Sequence, residues 1–138
     1  MSYTDKKVSI MKDQSIAGCP VETAVNIIGG KWKILIIARL AHIGKQRFGK
    51  LNRSIPDVSE RVLTRQLREL EKDGLIYRQV FAEVPPRVEY SLSKNGETLI
   101  PILNLLAEWG KKQQSLIINK INNINKKDVD HLPTRHVL

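Results

Sequence analysis

Cysteine is almost missing from this chain of 138 residues: Cys19 stands alone. A lone cysteine excludes an intramolecular disulfide framework and an intramolecular thiol switch. Aromatic residues are scarce, 5% of the total, which weighs against sequence-selective RNA binding, where exposed aromatic platforms stack on bases. No run approaches the roughly 18 consecutive apolar residues that span a bilayer, so no membrane attachment by a helix is expected. Residues 1–14 lack the apolar centre of a signal peptide, and together with the single cysteine this points to the cytoplasm. Acids are outnumbered: 14 Asp and Glu face 23 Lys and Arg, a net charge of +9. Such a surplus favours a polyanionic partner, either nucleic acid or an anionic surface.

Motifs of catalysis are also absent. The chain has no H-E-x-x-H, no nucleophile elbow and no phosphate-binding glycine loop. Gly29-Gly30 closes a helix where a phosphate cradle would open one after a strand. His42 is isolated and expected in or near the core, and His131 and His136 sit in the polar tail without ligand-like neighbours. No catalytic residue, metal or cofactor is expected. Trp32 and Trp109 read as core residues.

What is present is helical periodicity. Val21, Ala24, Val25 and Ile28 fall on one face of a helix opened by Pro20 and closed by Gly29-Gly30. A second helix, Lys31 to Ala41, is apolar nearly all round and belongs at the centre of a core. A short third helix, Phe48 to Ile55, is closed by Pro56. Ser59 is a good N-cap for a fourth, Glu60 to Lys72, which ends at Asp73-Gly74. Two strands follow, Leu75 to Phe81 and a period-2 stretch in which Val88, Tyr90 and Leu92 alternate with polar residues, joined by a turn that Pro85-Pro86 stiffens. Ser93 then caps a long C-terminal helix, expected to bend at Pro101.

The fourth helix carries the chemistry. At about 100° per residue, Arg61, Arg65 and Arg68 gather within roughly 60° with Thr64 beside them, while Leu63, Leu67 and Leu70 lie opposite. The acids Glu69, Glu71 and Asp73 are held back to the C-terminal end. A major-groove helix needs this asymmetry, because its N-terminal residues meet base edges and arginine bonds guanine in bidentate fashion. A solvated charged face has the same pattern on an isolated helix. The short helix, tight turn and hairpin around it favour a winged helix-turn-helix. Glu60 either accepts from a cytosine or is a first-turn acid. Arg87 on the hairpin either touches DNA or pairs with Glu83 or Glu89. Lys31 is either a phosphate contact or a solvated lysine.

These stretches resemble the HxlR-type regulators, a winged-helix group related to the MarR fold. The likeness runs through Cys19-Pro20-Val21-Glu22-Thr23-Ala24, Ile28-Gly29-Gly30-Lys31-Trp32-Lys33, Phe48-Gly49-Lys50-Leu51, the helix from Ser59 to Glu71, Glu83 to Leu92, and Leu106-Ala107-Glu108-Trp109-Gly110. It implies a mainly α fold with a small β-hairpin wing and no enzymatic activity. It also implies a homodimer built on the first and C-terminal helices, with recognition helices about 34 Å apart on an inverted-repeat operator in double-stranded DNA. The long apolar helix after Ser93 favours a dimer independently. The family tendency is repression. In several members a cysteine at the position of Cys19 senses oxidants or electrophiles, pairing between subunits or accepting a small thiol. Helix N-termini stabilise thiolates; the alternative is a small residue filling a helix start.

Four segments are expected: a flexible arm over 1–17, the winged helix-turn-helix domain over 18–110, a dimerisation helix extension over 111–125, and a loose tail over 126–138. The expected DNA-binding residues are Lys31, Ser59, Arg61, Thr64, Arg65, Arg68 and Arg87. Cys19 is the expected redox site, with an oxidant or small molecule as effector. Two other readings stay open: a nonspecific DNA or RNA coat, and a protein-interaction module using the C-terminal helix.

Overall fold

A computed structural model describes residues 18–131, so the expected arm over 1–17 and the end of the tail, with His136, lie outside the described residues. The chain divides into two compact units, one ending at Ile100 and one beginning at Pro101. The first contains α1 (Pro20–Ile28), α2 (Trp32–Ile43), β1 (Gln46–Arg47), α3 (Phe48–Ser54), α4 (Glu60–Lys72), β2 (Ile76–Phe81), β3 (Arg87–Leu92) and the single-turn α5 (Lys94–Glu97). α6 spans Ile100–Asp130, and the second unit takes it up from Pro101. The fold is mainly helical with a small antiparallel sheet, a winged helix-turn-helix.

The core of the first unit is aliphatic. Ile36, Ile37 and Leu40 of α2 are buried with Leu51 of α3 and Leu63, Leu67 and Leu70 of α4. Ile55 and Val58 are buried as well, so the connection between α3 and α4 is pinned at both ends while Asp57 turns it through a positive φ of 69°. The sheet order is β1-β3-β2. Six residue pairs join β2 to β3, from Ile76 opposite Leu92 to Phe81 opposite Arg87. β1 adds only two, Gln46 opposite Tyr90 and Arg47 opposite Glu89. So short a strand has no periodicity to read, and sequence alone does not announce it.

Ser93 departs from its expected role. It caps α5, with its Oγ accepting from the Gly96 N–H at 3.0 Å and donating to the Gly74 carbonyl at 2.6 Å. Its own N–H donates to the Leu75 carbonyl at 3.0 Å, so this buried polar residue is satisfied on every side. Gly96 permits the approach, because a Cβ there would collide with the Leu75 carbonyl oxygen. The chain then breaks at Thr98 and Leu99, and α6 starts afresh at Ile100. Pro101 therefore lies in the first turn of α6, where its missing N–H deprives no helical acceptor. The expected bend has no cause there.

Three further expectations are corrected. His42 is exposed on the last turn of α2, not in the core. Trp109 is 63% exposed on α6; its neighbours at helical spacing are apolar, but no residue of α6 is buried. The helix also continues to Asp130, five residues past the expected extension. No helix among the described residues is long and apolar enough to cross a membrane.

Candidate nucleic-acid interface

The outward face of α4 is set by its inward one. Leu63, Leu67 and Leu70 are at most 1% exposed, which fixes the rotation of the helix and leaves Arg61, Arg65 and Arg68 exposed. Ser59 starts it: the Ser59 Oγ accepts from the Val62 N–H at 3.1 Å, satisfying one of the free amides of the first turn, and its own O–H remains a donor. The Thr64 hydroxyl donates to the Glu60 carbonyl at 2.7 Å, so toward a ligand Thr64 presents a lone pair and a methyl group. Glu60, Arg61, Thr64, Arg65, Arg68 and Glu69 line an open groove of about 590 Å³. Guanidinium groups crowd it, with a carboxylate at each end.

Two members of this neighbourhood escape sequence reasoning. Arg78 of β2 shares a second hollow with Thr64, Arg68, Glu71 and Tyr90, extending the cationic surface from the helix to the sheet. Its signal was its place on a strand, with no hint of what it would face. Lys33 of α2 pairs with Glu69, Nζ to Oε2 at 2.7 Å. Lys33, and Arg65 more weakly, hold the Glu69 carboxyl below its usual value.

Lys31 occupies the N-cap of α2 and is exposed, its ammonium 4.6 Å from the centre of the Trp32 ring. Arg87 has less freedom. Its Nη2 lies 3.3 Å from Glu83 Oε1 and its Nε 3.5 Å from Glu89 Oε1, and its guanidinium carbon stands 4.0 Å over the Phe81 ring. The Nε contact is an ion pair without hydrogen-bond geometry. Of the two roles open for Arg87, pairing within the hairpin is the one displayed. At the tip of that hairpin Val84 is fully exposed.

Cys19 is the N-cap of α1, in extended conformation and half-buried. Its carbonyl accepts from the Thr23 N–H at 3.0 Å, while its thiol caps nothing.

Comparison with known proteins bears on the fold and the family. An HxlR-like helix-turn-helix family model matches residues 27–117. An uncharacterised helix-turn-helix transcriptional regulator of Methanothermobacter thermautotrophicus is 59% identical over 93 residues, which cover 67% of this chain and 70% of that protein. The redox regulator HypR in its reduced form superposes with a TM-score of 0.67 at 44% identity, covering 72% of this chain and 98% of HypR. Its oxidised form gives 0.64 at 48% identity, over 68% and 96%. The chain belongs to the HxlR-like helix-turn-helix family, and it is a transcriptional regulator and not an enzyme.

Proposed function

We propose that this regulator represses transcription as a homodimer on an inverted-repeat operator, and that oxidation at Cys19 changes its occupancy. The observation that carries the reading is α4: one face buried to the last leucine, the other a groove of exposed arginines. Arg61 and Arg65, near the helix N-terminus, read base edges. Thr64, its hydroxyl proton already committed to Glu60, contributes through its methyl or its lone pair. Arg68, Lys31 and the Ser59 hydroxyl hold phosphate. Arg87 acts chiefly as a brace of the wing, since a phosphate contact would require it to exchange Glu83 or Glu89 for the backbone.

The dimer is supported by α6, whose apolar residues Ile102, Leu106, Trp109 and Ile117 are all 45% exposed or more. Redox control is supported by the likeness to HypR, a redox regulator solved in reduced and oxidised forms. With a single cysteine, an oxidant removes two electrons and two protons to join Cys19 to a second thiol. That thiol is Cys19 of the other copy or a small free thiol.

The test is selection of bound fragments from genomic DNA with the thiol reduced and again after mild oxidation. A shared inverted repeat is the expected result, with recovery changed by oxidation in the wild type and unchanged in Cys19→Ser. On that operator, Arg65→Ala should relax preference at one base pair by about 1–3 kcal/mol. Lys31→Ala should weaken all sequences alike and lower the salt slope by about one. Enrichment of no sequence would reject specific regulation in favour of a nonspecific or RNA-directed surface.

A further inference from the structure

Glu69 lies one turn beyond Arg65 on α4 and lines the same groove as Arg61, Arg65 and Arg68. Positions four apart on a helix are surface neighbours. The Lys33 side chain that grips Glu69 is only 12% exposed, whereas Glu69 is 45% exposed. A lysine so enclosed keeps its partner, because losing it would leave a charge stranded away from water. The carboxylate is thus anchored to α2 while standing beside the arginines that face outward. Its acid strength is raised first by Lys33, which reaches it directly, and to a lesser degree by the nearby charge of Arg65.

A carboxylate in such a groove repels phosphate of every sequence. Opposing every sequence alike would change no ratio, so a fixed carboxylate serves discrimination only if it also acts on a side chain that reads bases. We propose that Glu69 is a positioning and specificity-determining residue. Anchored by Lys33, it sets a fixed negative charge beside Arg65 that biases the guanidinium toward the groove and away from phosphate, and it lowers the affinity of the groove for DNA in general. Without it Arg65 is free to seek the nearest phosphate, a contact that carries no sequence information. The inference rests on the reading of α4 as the operator-reading helix.

The experiment titrates wild type, Glu69→Gln and Lys33→Met against the selected operator and a scrambled duplex of equal length, over a range of salt. In Glu69→Gln, scrambled affinity should rise about 3–10-fold and the salt slope steepen by about one. In Lys33→Met, scrambled affinity should fall, since the released carboxylate closes on Arg65. The ratio of operator to scrambled affinity should fall about tenfold in both. A merely structural pair would weaken binding in both variants alike, and a simple charge effect would leave the ratio unchanged; either result overturns the proposal. If a melt shows that a single variant is unfolded, the paired replacement K33M/E69M carries the test, with the same loss of ratio expected and an unchanged ratio fatal. Absence of operator preference in the wild type would remove the reading of α4 itself. Preference kept in the wild type with ratios unmoved in the variants would remove only the role of Glu69.

Discussion

α4 and α6 are both long helices with an apolar stripe, and they treat it in opposite ways. In α4 the stripe of Leu63, Leu67 and Leu70 is covered within the same chain. In α6, 31 residues long, nothing is buried, and Trp109, Leu116 and Ile117 are each more than half exposed. A stripe covered by its own chain stabilises the fold and lends the helix a fixed outer face. A stripe left bare over several turns marks a surface for association. The same periodicity in sequence thus has two outcomes, decided by whether a complementary surface exists nearby.

The largest expected effect tests the bare stripe. Trp109→Ala, at a large side chain 63% exposed, removes roughly 1.5–3 kcal/mol of burial per copy, and a two-fold interface counts the loss twice. The dissociation constant of the proposed dimer should rise on the order of 10²–10⁴-fold, read by analytical ultracentrifugation; unchanged association would break the contrast. Next comes Leu67→Ala on the covered stripe. Denaturant unfolding at protein concentrations that saturate the dimer should show a loss of about 2–5 kcal/mol, with association untouched.

Smaller effects sharpen how α4 is held. Ser59→Ala leaves the Val62 N–H without its acceptor and should cost about 1 kcal/mol in the same unfolding experiment. The smallest effect is a pH dependence. Glu69 is more acidic in the folded chain than its ordinary value near 4.5. Its contribution to stability is therefore complete above that value and is lost as pH falls through the lower folded one. Melting curves of wild type and Glu69→Gln should differ at pH 7 and converge in acid. A gap that widens below pH 4.5 would contradict the ion pair with Lys33.

The legible features were local ones. α4 runs from Glu60 to Lys72 with Ser59 as its cap, as read from the sequence, because cap, leucine spacing and terminal glycine all lie within one short stretch. The groove-facing arginines followed from the same wheel. Features that join distant residues were not legible. Ser93 reaches Gly74, 19 residues away, and so caps a short turn in place of the long helix expected. Pro101 looked like a bend only while α6 was taken to begin at Ser93. Glu69 read as one of several acids kept from the DNA-facing turns until Lys33, 36 positions earlier, was found against it.

The sequence by itself determined the first four helices, the hairpin, the cationic face of α4 and the family likeness, since each rests on spacing within one element or on motifs in order. Only the tertiary structure decided which charges are free. Arg61 and Arg65 remain exposed, while Arg87 is drawn into the pairs of its own hairpin and Glu69 is tied to Lys33. The physical reason is range: helix periodicity acts over three or four residues, whereas an ion pair depends on a distance in space that only the packed core sets.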